Sequence, residues 1–276
     1  MRSIGVFDSG IGGLTVVKEL LDTVPYERIV YFGDTARVPY GSKSVETVQR
    51  YSREDTELLL ANDVKLIVIA CNTVSAVALE AVKETAQGIP VIGMIEPCVR
   101  EAARSTKNNR IGIIGTEATV ASKAYERGLI EEGKQLGKQI EVFSQACPLF
   151  VPLAEEGWTD HEATRLVAEE YLRGLKEEQV DTLILGCTHY PILTGMIQQV
   201  MGEDVRLINS GAVAAQEVRH FIDGRSAKSP VTDHLVLVSD VPRKFQQVGA
   251  RFLGRAIPDA KQVQWKEAWV ITRQAI

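Results

Sequence analysis

Two short apolar runs, each ending in a cysteine, restrict what this chain can fold into more than any other feature. Leu66-Ile67-Val68-Ile69-Ala70-Cys71-Asn72-Thr73 and Thr182-Leu183-Ile184-Leu185-Gly186-Cys187-Thr188-His189 share one plan: apolar residues, a small residue, a thiol, then a threonine-bearing polar corner. Runs this short and this rich in branched aliphatics predict interior strands of parallel sheets. A helix is expected after each corner, near Ser75 in the first and near Pro191 in the second, where proline's missing N–H is no loss. Ligands of open α/β sheets sit beyond the carboxyl ends of the strands. A single such cysteine reads as a small buried hydrophobe; two at matching strand ends point to a shared site.

The remainder of the chain alternates strand and helix around these two runs. A strand is predicted at Ile4–Phe7, followed by Asp8-Ser9-Gly10-Ile11-Gly12-Gly13 and a helix from about Gly13 to Leu21. A dinucleotide fingerprint would need glycine at position 15, which is Thr15. An anion site for a carboxylate fits better, the plainer alternative being a tight turn capped by Asp8 or Ser9. Val38-Pro39-Tyr40-Gly41-Ser42 is expected to be a rigid turn carrying an aromatic tip over a pocket. A helix follows over about 44–62 with Val45, Val48, Leu58 and Leu59 inward, and a strand over 90–95.

Glu96-Pro97 reads as a crossing point into a second copy. Arg110–Thr116 mirrors the first strand, with Thr116 and Thr119 standing where Asp8 and Ser9 stand in the first copy. A helix is expected over about 118–132 and a strand over 140–144. The two prolines of Cys147–Trp158 argue for an irregular connector. Thr159 with Glu162 makes a capping box for a helix to about Glu178, its apolar face formed by Ala163, Leu166, Val167, Tyr171 and Leu175. Ser210-Gly211 reads as the return crossing, followed by a helix over 212–222, a polar loop over 223–232, a strand over 234–239, a helix over 242–253 and an edge strand over 263–265. This weak duplication of βαβ units predicts an α/β fold of two pseudo-symmetric domains. Each would be a mostly parallel sheet flanked by helices, with the site in the cleft between them.

Composition removes several function classes. The 276 residues carry 31 Lys and Arg against 36 Asp and Glu, a net charge of −5, with no basic cluster interleaved with aromatics, so nucleic acid is not an expected partner. No run approaches the ~18 apolar residues of a membrane helix, and the short N-terminal run reads as the start of a strand and not as a signal peptide. A cytoplasmic location is the expectation. Four cysteines without CxxC spacing and four histidines without zinc-ligand spacing predict neither disulfide chemistry nor a metal site. Cys98 and Cys147 are expected in the core; His161, His220 and His234 at the surface or in packing.

Two thiols facing each other across a cleft suit one reaction above others. One thiolate removes a proton from a tetrahedral carbon, the other delivers a proton to the opposite face, and the centre inverts. Without an electron sink, the developing charge needs preorganised donors, and the N–H groups of Asn72-Thr73 and Thr188-His189 are suitably placed. A helix N-terminus lowers a thiol pKa from its usual ~8.5, whereas burial and a nearby Asp8 carboxylate raise it. Asp8 therefore reads as a proton acceptor or orienter, and His189 as the same beside Cys187.

Asp8-Ser9-Gly10-x-Gly12-Gly13, Pro39-Tyr40-Gly41, Cys71-Asn72-Thr73 and Gly186-Cys187-Thr188-His189, in this order, resemble the glutamate racemase family over nearly the whole chain. The resemblance implies interconversion of L- and D-glutamate without a cofactor, supplying D-glutamate to peptidoglycan, by a cytoplasmic homodimer. It implies that Cys71 takes the proton from the D-isomer and Cys187 from the L-isomer, assisted by Asp8, His189 and Glu155. It implies substrate contacts at Asp8, Ser9, Tyr40, Gly41, Asn72, Thr73, Thr116, Thr119, Thr188 and His189. It further implies a discontinuous domain, 1–97 plus 210–276, with 98–209 inserted, in agreement with the crossings at Glu96-Pro97 and Ser210-Gly211. An aspartate racemase is the nearest rival, although those tend to carry Thr-Glu where this chain has Thr188-His189. A two-domain binding module with structural cysteines and a thiol–disulfide oxidoreductase are the alternatives from other classes.

Overall fold

The computed structural model describes residues 2–222, 230–240, 245–257 and 259–263. Its strands are β1 (Ser3–Asp8), β2 (Ile29–Gly33), β3 (Val64–Ile69), β4 (Val91–Ile92), β5 (Arg110–Gly115), β6 (Glu141–Ala146), β7 (Thr182–Gly186), β8 (Arg206–Asn209), β9 (Leu235–Val238) and β10 (Ala260–Gln262). They form two wholly parallel sheets, one in the order β10-β9-β2-β1-β3-β4 and the other β6-β5-β7-β8. Within the first sheet β2-β1-β3-β4 follows the same order as the whole of the second. The duplication read in the sequence is thus one of topology: β1 corresponds to β5, and the cysteine-bearing β3 to β7.

The apolar runs form the sheet interiors, as burial on both faces of a parallel sheet demands. Every residue of β1 and of β7 is buried. In register, Asp8 closes β1 opposite Gly33, and Gly115 closes β5 opposite Gly186. One continuous apolar cluster includes Ile4, Val6, Tyr31 and Val68 from the first sheet and Phe150, Leu183, Leu185 and Tyr190 from the second unit. Helix Leu14–Thr23 packs on helix Ser210–Ile222 within it. A shared core of this kind fixes the two sheets against each other.

Several local expectations are corrected. The helix after Cys71 begins at Asn72, not near Ser75, because Cys71 itself is the N-cap. Pro191 lies in a 3₁₀ turn, Tyr190–Leu193, ahead of helix Thr194–Met201. The strand over 90–95 shrinks to two residues, and Glu96-Pro97 lies in the first turn of helix Ile95–Ser105. The helix over 118–132 is two helices, Glu117–Ala121 and Ala124–Gln135, parted at Lys123 with its φ of 54°. The 147–158 connector contains helix Phe150–Glu156; Pro152 sits in its first turn, where no backbone donor is missed.

The 162–177 helix is capped by His161, whose Nδ1 accepts from the Ala163 N–H at 3.0 Å, so Thr159 does not cap it. Val45 and Leu166, placed on inner faces by spacing, are 45% and 54% exposed. The C-terminal edge strand is Ala260–Gln262, just before the predicted 263–265, of which 264 and 265 lie outside the described residues. Most of the predicted 223–232 loop and the start of the 242–253 helix also lie outside them. No helix among the described residues is long and apolar enough to cross a membrane.

Candidate active site

Both cysteine corners open onto one cavity of about 260 Å³. That is smaller than the ~300–1,000 Å³ of pockets for drug-sized ligands and suits a single small metabolite. Ser9, Tyr40, Gly41, Cys71, Asn72, Thr73, Thr116, Cys187, Thr188 and His189 all line it. Asp8, Thr119 and Glu155 stand one layer behind. Val38, Pro39 and Ser42 of the turn expected over a pocket line it too, and sequence reading missed Glu117, Pro148, Val151 and Pro152, which complete the wall. No lysine or arginine lines the cavity among the described residues, so an anionic ligand would meet hydroxyls, backbone N–H groups and His189.

On the first wall, Cys71 is buried at the N-terminus of helix Asn72–Val77. Its Sγ lies 3.8 Å from Ser9 Oγ. Burial, and then the Asp8 carboxylate, push this thiol up to about 12, against the opposing pull of the Val74 N–H and Ser9. Burial wins over the helix terminus here. Asp8 Oδ2 accepts from the Gly10 N–H at 3.0 Å, while Oδ1 is buried with no partner among the described residues. Burial raises the Asp8 pKa, offset in part by the charge of His189 and by surrounding N–H groups.

On the second wall, His189 bridges Cys187 and Glu155. Its Nδ1 is 3.9 Å from Cys187 Sγ and its Nε2 is 2.9 Å from Glu155 Oε1. Burial works to lower the imidazole pKa, but bonds and charges from Cys187 and Glu155 outweigh it and hold the pKa up at about 10. The C-terminal helix Phe245–Leu253 secures this pair from behind. Arg251 Nη1 donates to the Glu155 carbonyl at 2.9 Å, and the Phe252 ring stands edge-on to His189 at 5.2 Å.

Gly12 makes the two walls meet. A Cβ there would lie 2.3 Å from Thr188 Oγ1 and 2.5 Å from His189 Nδ1, so only glycine permits this approach. Thr15 Oγ1 donates across the same seam to the Thr188 carbonyl at 2.8 Å. At the far end, Thr73, Thr116 and Thr119 form a triangle of hydroxyls with edges of 3.0, 3.3 and 2.9 Å.

Tyr40 does not form the expected aromatic tip. It is fully buried, its hydroxyl 2.5 Å from Asp34 Oδ2 and 3.0 Å from Asp55 Oδ2. One hydroxyl proton can serve only one of these oxygens. Burial and then Asp34 push the Asp55 pKa well above the usual carboxylate range, against the opposing charge of Arg37. Arg37 binds Asp34, Asp55 and Glu54 and ties the cluster together. In the same loop Gly41 lies so close to Thr116 that a Cβ would be 2.7 Å from the Thr116 Cβ.

Comparison with known proteins agrees with this geometry. Residues 4–218 match the family model for Asp/Glu/hydantoin racemase. A glutamate racemase of Geobacter metallireducens is 51% identical over 95% of this chain and 96% of its own length. One from Chlorobaculum tepidum is 53% identical over 94% of this chain and 95% of its own. The crystal structure of glutamate racemase from Francisella tularensis in complex with D-glutamate superposes with a TM-score of 0.89 at 39% identity, covering 96% of this chain and 98% of that one. The chain belongs to the Asp/Glu/hydantoin racemase family.

Proposed function

We propose that this racemase interconverts L- and D-glutamate without a cofactor, moving the α-proton between Cys71 and Cys187. The observation that carries the reading is that the two thiols, at corresponding strand ends of two sheets of like topology, line one small cavity. Glutamate as substrate is supported by the high identity to glutamate racemases and by likeness to one that binds D-glutamate.

The raised pKa of Cys71 suits proton delivery during turnover of the L-isomer. Cys71, pushed up to about 12, holds its proton and is ready to donate it. Cys187 has the His189 ring against it, the nitrogen 3.9 Å from the sulfur and within reach to exchange a proton with it. Cys187 removes the α-proton from one face, Cys71 delivers its own to the other, and the carbon inverts. For the D-isomer the roles reverse: Asp8, whose pKa is raised, takes the Cys71 proton, Cys71 removes the α-proton, and the Cys187 thiol delivers its proton to the opposite face.

Ser9, Thr73, Thr116 and Thr188 bind the substrate through hydroxyls, with Thr119 holding Thr73 and Thr116 from behind, and Tyr40, Gly41 and Asn72 bind through backbone. The N–H groups opening helix Asn72–Val77 stabilise charge developing at the α-carbon. The same reading takes 1–97 plus 210–276 as one domain and 98–209 as a second inserted into it. It assigns the product D-glutamate to peptidoglycan and the enzyme to the cytoplasm as a homodimer.

Circular dichroism of separate incubations with L-glutamate, D-glutamate and L-aspartate, with no cofactor added, tests the proposal. Both glutamate solutions should fall to zero signal while aspartate keeps its own. Turnover of aspartate at a comparable kcat/KM, or glutamate turnover only after pyridoxal phosphate is added, would contradict it.

A further inference from the structure

Asn72 follows Cys71 and opens the helix behind it, yet both ends of its carboxamide are taken by protein. The Tyr125 hydroxyl donates to Asn72 Oδ1 at 2.6 Å, and Asn72 Nδ2 donates to Ser210 Oγ at 3.3 Å. Ser210 Oγ donates in turn to the Leu185 carbonyl at 3.1 Å, two residues before Cys187. Tyr125, Asn72 and Ser210 are 2%, 2% and 1% exposed.

This buried chain runs from the residue after one thiol to the strand that carries the other. Its members come from helix Ala124–Gln135, the first cysteine corner and the start of helix Ser210–Ile222. Neither Tyr125 nor Ser210 lines the cavity.

We infer that Tyr125 and Ser210 are positioning residues, which, through Asn72, fix the placement of the Cys71 thiol relative to Cys187. The inference rests on the two-thiol reading above. A proton transfer at carbon needs its partners within about 3–3.5 Å and aligned, and this site must satisfy that on two opposite faces at once. A displacement of about 1 Å costs on the order of 10²-fold in rate. Networks in low dielectric with every member satisfied are rigid, and the loss of one hydroxyl frees the carboxamide to rotate. Substrate binding, carried by groups elsewhere on the cavity wall, should be little changed.

The test compares Tyr125→Phe, Ser210→Ala and the double variant with the unaltered enzyme. We expect kcat to fall about 10- to 100-fold in each single variant, with KM within about threefold. The primary isotope effect with α-deuterated D-glutamate should rise, because transfer to Cys71 becomes more rate-limiting. The double variant should be about as slow as the slower single one, since both changes act on the same carboxamide. If either single variant keeps kcat within twofold, loses only KM, or leaves the isotope effect unchanged, the inference fails, as it does if the losses multiply. If Tyr125→Phe does not fold, Ser210→Ala alone decides by the same kcat, KM and isotope criteria. Failure of the underlying reading shows separately, as an unaltered enzyme that exchanges no α-proton with D₂O.

Discussion

Asp8 is a carboxylate kept where a carboxylate is unwelcome. It is 1% exposed, and one of its oxygens has no partner among the described residues. Its pKa is raised above the ordinary 3.8, so the charged form costs folding free energy once pH exceeds that value, and the cost grows up to the folded-state pKa. Asp8→Asn should therefore raise the melting temperature at pH 7, with a smaller gain at pH 4, while racemisation falls at least 10²-fold. Calorimetry at the two pH values alongside a racemisation assay checks both halves. His189 has the opposite sign of benefit: a pKa raised to about 10 contributes stability that is whole below about 6.5 and gone above about 10. Glu155→Gln should lower stability by about 1 kcal/mol at pH 6, a modest figure because Glu155 is 40% exposed, and by nothing measurable at pH 10.5.

At the scale of elements, the site depends on close approach more than on any one bond. Gly12→Ala would drive a methyl group into Thr188 and His189 and should reduce kcat by 10² or more. Gly174→Ala makes the contrasting control. It lies in the exposed part of helix Glu162–Glu177 with nothing within 4 Å of an added Cβ, and should stabilise by about 0.5–1 kcal/mol without touching activity. Thermal melts and steady-state kinetics on the pair separate backbone effects from seam effects. The strands and the cysteine corners were legible because a buried parallel strand must be continuously apolar, and the polar residues after it mark where it ends. Helix details were less so. Pro152 fits a first turn as readily as a loop, and the spacing that placed Val45 and Leu166 inward cannot tell which turns of a helix the sheet covers. Tyr40 showed no sign of turning inward, since its partners Asp34 and Asp55 are ordinary acids until folding buries them. The Tyr125–Asn72 bond joins residues 53 apart and leaves no local pattern to read.

At the scale of the whole molecule, two sheets of matching strand order share one apolar core and bring equivalent corners to one cavity. Mirror-image substrates have an equilibrium constant of one, so kcat/KM must be equal in the two directions whatever the enzyme does. The near-symmetric backbone offers each enantiomer a thiol at an equivalent strand end. The flanking groups are not symmetric: Asp8 and Ser9 attend Cys71, whereas His189 and Glu155 attend Cys187. KM and kcat should accordingly differ between L- and D-glutamate by one common factor, measurable from the two progress curves. The most direct test of the central claim is the fate of the α-hydrogen in D₂O, followed by NMR from each enantiomer. With both thiols present, deuterium should appear in the product enantiomer while the remaining substrate stays protiated, and Cys71→Ser and Cys187→Ser should each abolish racemisation. Deuterium entering substrate and product at equal initial rates, or either variant racemising at the wild-type rate, would contradict a reaction shared between two opposed thiols.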